Sequence, residues 1–137
     1  MDRWVMEGEL DLLSDDATVW VLRFFALSSA GVLHYFAAAA NARAGSRPLG
    51  SIPIAPPPGA LAGAAAVVEE GGWDEGRAVI EVKVRAPGQQ RGRVLVLATP
   101  HAARSADGLG AGAKRLADRW ERALRAATGL AGGRHGP

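Results

Sequence analysis

The segment from residue 113 to residue 127 has an apolar stripe that must be buried. When successive residues are placed about 100° apart, as in an α-helix, its apolar side chains fall on one face centred on Trp120. They are Ala113, Leu116, Ala117, Trp120, Ala123, Leu124 and Ala127. The segment therefore predicts an amphipathic helix that covers an apolar surface elsewhere in the chain, with Trp120, Leu116 and Leu124 as its structural anchors.

Upstream of this helix the sequence is rich in short β-forming segments separated by turn residues. They are residues 8–13, 18–27, 32–36, 48–55, 65–70, 77–84 and 92–99. Residues 14–17 and 85–91 predict hairpin turns, residues 71–76 predict a further turn, and residues 37–47 predict a loop or a loose helical turn. Seven short strands followed by one amphipathic helix predict an all-β barrel or sandwich capped by a C-terminal helix.

The size and composition of the chain favour one domain. Its 137 residues, 48% of them hydrophobic, suffice for one core. We expect residues 1–128 to form that domain and residues 129–137 to form a flexible tail. No apolar run approaches the roughly 20 residues of a membrane helix, and the acidic N-terminal segment does not resemble a signal peptide. These features predict a cytoplasmic protein.

No catalytic or metal-binding motif is apparent in the sequence. The chain has no cysteine, which excludes disulfides, thiolate metal sites and a cysteine nucleophile. His34, His101 and His135 are too far apart and too isolated to suggest a metal site or a catalytic triad. We therefore expect no enzyme activity, no cofactor, no metal and no small-molecule substrate. No nucleic-acid partner is expected either. The net charge is +2, and the basic residues are concentrated in residues 85–137.

The order and spacing of the segments resemble the pleckstrin homology (PH) domain over roughly residues 7–128. The matching stretches are GEL at 8–10, WVLRFFAL at 20–27, GVLHYF at 31–36, LGSIPI at 49–54, AVIEV at 78–82, RVLVLAT at 93–99 and RWERAL at 119–124. Trp120 matches the tryptophan that the family places in its C-terminal helix, where the indole packs against the barrel. The resemblance implies a seven-stranded PH-like barrel or sandwich capped by one helix, a superfold that also includes phosphotyrosine-binding and EVH1 domains.

The resemblance also implies where a phosphoinositide headgroup would bind. Family members that hold such headgroups have a lysine near the end of the first strand and a Lys/Arg-x-Arg pair early in the second. In this sequence the first position falls near Leu12, the second falls on Val21, and only Arg23 is basic. Asp15 and Asp16 lie in the intervening turn, where they would repel phosphate. The implied basic site is therefore incomplete.

Two interpretations of Arg23 remain open at this point. In one, its stem packs along the barrel and its guanidinium pairs with Asp11, Asp15 or Asp16. In the other, Arg23 contacts an anionic lipid headgroup, assisted by Arg43 and Arg47.

The basic side of the C-terminal helix is a candidate surface for docking. It comprises Lys114, Arg115, Arg119, Arg122 and Arg125, and is interrupted by Asp118 and Glu121. Such a side is either solvated, with Asp118–Arg122 and Glu121–Arg125 pairs, or docks onto an acidic protein, a tubulin-like polymer or an anionic membrane. Arg91 and Arg93 would extend it only if they lay on the same side of the domain.

The sequence favours a non-catalytic PH-like interaction module that docks onto a protein partner within a larger assembly. Docking would use the basic side of the helix or the edge near the fifth strand, with exposed aromatic anchors. The candidate partner-binding residues are Trp4, Trp73, Arg115, Arg119, Arg122 and Arg125. The alternative is a membrane adaptor that binds phosphoinositide or anionic lipid weakly through Arg23, Arg43 and Arg47. Either function fits a cytoplasmic protein associated with membrane or cytoskeletal structures.

Overall fold

A computed structural model describes residues 3–55, 66–84, 93–100 and 111–129. Within them the chain forms seven strands and two helices: β1 (Trp4–Leu13), β2 (Trp20–Ser28), β3 (Val32–Phe36), α1 (Ala39–Arg43), β4 (Gly50–Pro53), β5 (Val67–Asp74), β6 (Arg77–Val84), β7 (Arg93–Ala98) and α2 (Ala111–Thr128). The predicted turn at 85–91 and most of the predicted tail, residues 130–137, lie outside the described residues.

The seven strands form one antiparallel sheet in the order β4-β3-β2-β1-β7-β6-β5. β1 lies at its centre, where Leu10 pairs with Arg23 of β2 and Leu12 pairs with Leu97 of β7. Every pair of neighbouring strands is consecutive in sequence except β1 and β7, and the consecutive strands β4 and β5 form the two edges of the sheet. The predicted all-β architecture with one capping helix is confirmed.

Alternation along the strands separates an inner from an outer face of the sheet. On β2, Phe25 and Leu27 lie on the inner face and join the main core. The largest fully buried side chains of that core are Leu10, Phe25, Leu27, Leu33, Ile54, Ile80, Val82, Leu95, Leu97, Trp120 and Leu124. They come from both halves of the sheet and from α2. The inner face therefore surrounds a single core that the helix closes.

The apolar stripe of α2 packs as its periodicity predicts. Trp120 and Leu124 are fully buried, and Leu116 packs against the core from a partly buried position. The indole of Trp120 lies against Gly8 of β1, where an added Cβ would be 3.8 Å from the ring. In the described part of the chain, neither helix combines the length and apolarity that crossing a membrane requires.

The turn predicted at residues 71–76 is shorter than expected. β5 continues to Asp74 after an irregularity in its pairing between Glu70 and Trp73. The turn itself consists of Glu75 and Gly76, which have φ values of 49° and 82°. Two left-handed residues form the tight hairpin turn that matches the twist of antiparallel strands. The glycines of this segment therefore lie in two places: Gly71 and Gly72 in the irregular part of β5, and Gly76 in the turn.

Residues 37–47 contain the short helix α1 on the outer face of the sheet. Its Ala39 and Ala42 pack against a second apolar cluster of Phe24, Ala26 and Phe36. The outer face of β2 is thus covered here, which explains why this strand is apolar on both faces.

A buried ion pair joins β1 to β6 on the outer face. The Arg77 Nε donates to Asp11 Oδ2 at 2.8 Å, and both side chains are about nine-tenths buried. The guanidinium lies 5.5 Å from the ring centroid of Trp20, whose Nε1 donates to Asp74 Oδ2 at 2.8 Å. Asp11 is therefore committed to Arg77 and is not the partner of Arg23.

Candidate functional site

A cavity of about 300 Å³ lies at the end of the sheet where the β1–β2 turn meets β3, β4 and the start of β7. It is lined by Leu12, Leu13, Ser14, Asp15, Val21, Arg23, Tyr35, Leu49, Arg93, Val94 and Leu95. We call it the Arg23 cavity. Its lining includes no described residue of α2, which packs against Gly8 farther back along β1. The described residues of α2 therefore do not cover this end of the sheet.

Strand alternation places Arg23 in this cavity. Arg23 shares the inner face of β2 with Phe25 and Leu27, but lies nearer the start of the strand, where the core gives way to the cavity. Its side chain is half-buried, and its Nη1 donates to the carbonyl oxygen of Leu22 at 3.2 Å. No carboxylate among the described residues lies within ion-pair distance of it. Of the two interpretations of Arg23, the one in which it pairs with Asp11, Asp15 or Asp16 is therefore wrong for the described residues.

Arg93 is a second cation in the same cavity. It opens β7 and alternates with Leu95 and Leu97, which are buried on the inner face. Arg93 is exposed and has no carboxylate partner among the residues that the structure describes. It lies at the end of the sheet opposite the packing of α2, so it does not extend the basic side of the helix. Two guanidinium groups thus line one cavity, and the second belongs to Arg93, which the sequence did not place there.

The β1–β2 turn brings negative charge to the rim of the cavity. Asp16 Oδ1 accepts hydrogen bonds from the hydroxyls of Ser14 and Thr18, each at 2.6 Å, and from the backbone N–H of Thr18 at 3.1 Å. The hydrogen bond from Ser14, then those from Thr18, lowers the pKa of Asp16. Asp15 lines the cavity directly. The turn is therefore an ordered, ionised element that opposes anion binding and partly offsets the two arginines.

Comparisons with known proteins identify the fold through solved structures and not through the sequence. No protein-family model matches the sequence, and no curated protein is a significant match to it. Solved structures do match. The C-terminal PH domain of pleckstrin, in complex with D-myo-Ins(1,2,3,5,6)P5, has 17% identity and a TM-score of 0.60, with 92% of this chain and 96% of that chain covered. The Slm1 PH domain, in complex with inositol-4-phosphate, has 16% identity and a TM-score of 0.64, with 91% and 95% covered.

A third match, the PH domain of human KIAA0053 protein, has 17% identity and a TM-score of 0.60, with 97% of this chain and 94% of that chain covered. Each alignment spans nearly the whole of both chains. The chain has a PH-like fold. Because the sequence identities are low, these matches show the fold only. The ligand has to be inferred from the chemistry of the site.

The PH-like fold places the matched basic positions together in the cavity. Leu12, Val21 and Arg23 all line it, so two apolar side chains occupy positions where the resemblance implies cations. Arg43 and Arg47 are exposed but are not among the residues that line it. Arg43 ends α1 on the outer face of the sheet. The structure therefore brings Arg23 together with Arg93 and not with the two arginines that the sequence suggested.

The cations of α2 divide into paired and unpaired groups. Lys114 pairs with Asp118 at 3.5 Å, and Arg125 pairs with Glu121 at 3.3 Å. The predicted Glu121–Arg125 pair is confirmed, whereas Asp118 pairs with Lys114 in place of Arg122. Arg125 also donates to the carbonyl oxygen of Val68 on β5 at 3.2 Å.

The unpaired cations of α2 are Arg115, Arg119 and Arg122. All three are exposed, and none has a carboxylate partner within the described residues. They are therefore available to contact another molecule.

Glu121 is buried, which corrects its assignment to the solvated side of the helix. Its position, about 100° from Trp120 on the helix, faces the edge at β5. Burial raises its pKa, while Arg125 lowers it and the nearby Glu70 and Asp118 raise it. The carboxylate oxygens of Glu121, Glu70 and Asp118 lie within 4.8 Å of one another. Oxygen ligands of this kind suit hard cations, but Glu121 already has Arg125 as its partner.

The two candidate aromatic anchors have different environments. Trp4 makes edge-on contacts with His34 and Phe36 at centroid distances of 5.5 and 6.3 Å, so it fastens the start of β1 to β3. Trp73 is 55% exposed and lines a cavity of about 250 Å³ between β5 and α2. Trp73 is therefore the more accessible of the two.

Proposed function

We propose that this chain is a non-catalytic binding module and that the Arg23 cavity binds a phosphate-bearing anion such as a phosphorylated inositol headgroup. The observation that carries this proposal is the presence of Arg23 and Arg93 in one cavity, without carboxylate partners among the described residues. Guanidinium groups match the geometry of phosphate oxygens and bind them through paired hydrogen bonds. Two solved structures of the same fold, one of a pleckstrin PH domain and one of the Slm1 PH domain, hold inositol phosphates.

The affinity of the cavity is expected to be modest. Leu12 and Val21 supply no charge, and Asp15 lies in the lining. Arg93 nevertheless strengthens the site, because the positions matched to the PH domain supply only one cation, Arg23. We therefore rank anion binding ahead of protein docking as the function of this cavity. A protein with this function would act in the cytoplasm, at anionic membrane surfaces.

Vesicle co-sedimentation tests the proposal. Vesicles that contain one phosphoinositide species each are compared with neutral vesicles at low and at physiological salt. We expect Arg23→Ala and Arg93→Ala each to weaken binding about tenfold, because each removes charge-assisted hydrogen bonds. Binding should also weaken with salt.

Arg43→Ala is the matched control for these variants, since it removes the same charge from the outer face of the sheet. It should leave sedimentation unchanged. Equal sedimentation of the wild type and the Arg23→Ala/Arg93→Ala double variant would refute the proposed site, as would binding no stronger than that to neutral vesicles.

Docking onto a protein partner within a larger assembly is the second candidate function. The observation that favours it is the unpaired state of Arg115, Arg119 and Arg122 among the described residues. Charge reversal at Arg122 should release a co-purifying partner while the fold stays intact. Arg125 is a poorer choice for this test, because its pair with Glu121 and its contact with β5 stabilise the helix.

Trp73 is the second residue to substitute in this test, because it is exposed beside α2. Retention of the partner by both the Arg122→Glu and the Trp73→Ala variants would count against docking at these surfaces.

A further inference from the structure

The two sides of α2 that border its buried stripe differ in charge. On the side facing β5, cations alternate with carboxylates and pair with them, as in Lys114–Asp118 and Arg125–Glu121. The other side carries only cations: Arg115, Arg119 and Arg122. We call these three residues the basic flank. The segregation means that the positive charge of the helix is concentrated on one side.

An apolar groove lies along the same helix, between α2, the start of β1 and the end of β2. Its volume is about 290 Å³, and it is lined by Val5, Leu27, Ser28, Ser29, Ala123, Ala126 and Ala127. We call it the apolar groove. The three alanines have short side chains, so the helix wall of the groove does not project into it. Val5, on the opposite wall, is 55% exposed. No described acidic side chain lines it.

The periodicity of α2 brings the basic flank to the edge of this groove. Arg119 precedes Ala123 by four residues, and Arg122 precedes Ala126 by four residues, so each arginine lies one turn from a groove residue on the same face. Across the groove, Ser29 donates its backbone N–H to the carbonyl oxygen of Arg3 at 2.8 Å. Arg119 and Arg122 therefore make the α2 edge of the groove basic, and the backbone of Arg3 lies next to its opposite edge.

We propose that the apolar groove binds a short acidic segment of a partner protein. An aliphatic or aromatic side chain of that segment inserts between Val5 and Ala126, and its carboxylates pair with Arg119 and Arg122. This proposal rests on protein docking, the second candidate function, and names its surface and the chemistry of its partner. Charge complementarity predicts a negatively charged partner, since the α2 edge of the groove is basic and no described acidic side chain lines the groove.

The shape of the groove favours a peptide over a bilayer. A membrane is penetrated by side chains that project from a surface, whereas this groove is a recess between two strands and a helix. Its volume lies at the small end of ligand sites, which suits one inserted side chain.

Selection from a random library of 12-residue peptides on phage, with the whole chain as bait, tests the proposal. We expect the enriched peptides to combine an aliphatic or aromatic residue with at least two aspartates or glutamates. The best peptide, synthesised with a fluorophore, is then titrated by anisotropy. The Arg119→Glu/Arg122→Glu variant should weaken its binding at least about tenfold by like-charge repulsion. Ala126→Trp, which fills the groove from an exposed position, should abolish it.

Two control variants separate this surface from the Arg23 cavity. Arg43→Glu makes a matched charge change elsewhere on the surface, and Arg23→Glu disables the proposed anion site; both should leave the peptide affinity unchanged. Enriched peptides without acidic residues would overturn the proposal. So would a peptide affinity that neither groove variant alters. If Trp73→Ala releases a co-purified partner and the groove variants do not, protein docking stands and the groove assignment falls.

Discussion

At the scale of single residues, the shape of the Arg23 cavity depends on the absence of a side chain at Gly50. Gly50 pairs with Tyr35 across β3 and β4, and an added Cβ would overlap the Tyr35 ring. We expect Gly50→Ala to displace this ring and to lower the free energy of unfolding by about 1–3 kcal/mol, as overpacking does. Urea unfolding measures the change.

Gly8→Ala is the control for this substitution. At Gly8 the added Cβ would meet the Trp120 indole at 3.8 Å, an ordinary contact distance. A loss of stability as large as that of Gly50→Ala would contradict the steric explanation.

The buried pair between Arg77 and Asp11 makes a second prediction at this scale. Arg77→Met leaves the carboxylate of Asp11 buried without its cation, which typically costs about 3–5 kcal/mol of unfolding free energy. Lys83 forms a pair with Glu69 that is half-exposed on both sides, so Lys83→Met should shift the urea midpoint far less. Equal shifts in the two variants would contradict the role assigned to burial.

At the scale of elements, the contact between α2 and β5 makes stability depend on pH through Glu121. Burial raises the pKa of Glu121 above its ordinary value of 4.5, with Glu70 and Asp118 adding to the rise and Arg125 and Lys114 opposing it. The folded protein therefore holds this proton more tightly than the unfolded chain, and stability falls as pH rises above that ordinary value and through the folded-state pKa.

Glu121→Gln removes this dependence, so it should raise the unfolding midpoint at pH 7 and change it little near pH 4. Thermal unfolding at the two pH values measures the difference, with the exposed Glu7→Gln as control. A variant that is destabilised at pH 7 relative to pH 4 would show that the pair with Arg125 outweighs the cost of burial.

The elements also show which features the sequence could predict. The buried face of α2 can be predicted from its apolar stripe, because a helix with one apolar face packs against a sheet in one orientation. The sequence does not predict that Arg93 faces the cavity, because β7 is apolar on both faces and alternation alone does not tell whether Arg93 or Val94 faces inward. The pairing of β7 with β1 and β6 decides it. The burial of Glu121 cannot be predicted from the helix alone, because it results from a tertiary contact in which β5 covers one edge of α2.

At the scale of the whole molecule, Trp120 links both halves of the sheet to the helix in one core. Trp120→Ala should lower the free energy of unfolding by about 3–5 kcal/mol, the usual cost of losing a core tryptophan. Trp73→Ala, at an exposed tryptophan, should cost much less. Circular dichroism during urea unfolding compares them. A Trp120→Ala protein as stable as the wild type would contradict the single-core architecture.

The distribution of sites over the molecule separates two functions. The Arg23 cavity lies at one end of the sheet, and the apolar groove lies along α2, with no described lining residue in common. Ligands at these sites are therefore not expected to compete for the same side chains.

Anion binding at the Arg23 cavity is tested most directly by an NMR titration of the ¹⁵N-labelled protein with inositol hexakisphosphate. We predict amide shift changes concentrated at the end of β1, the start of β2 and the start of β7, and largely lost in Arg93→Ala. Changes centred on the basic flank of α2, or no changes at any accessible concentration, would contradict the proposed site.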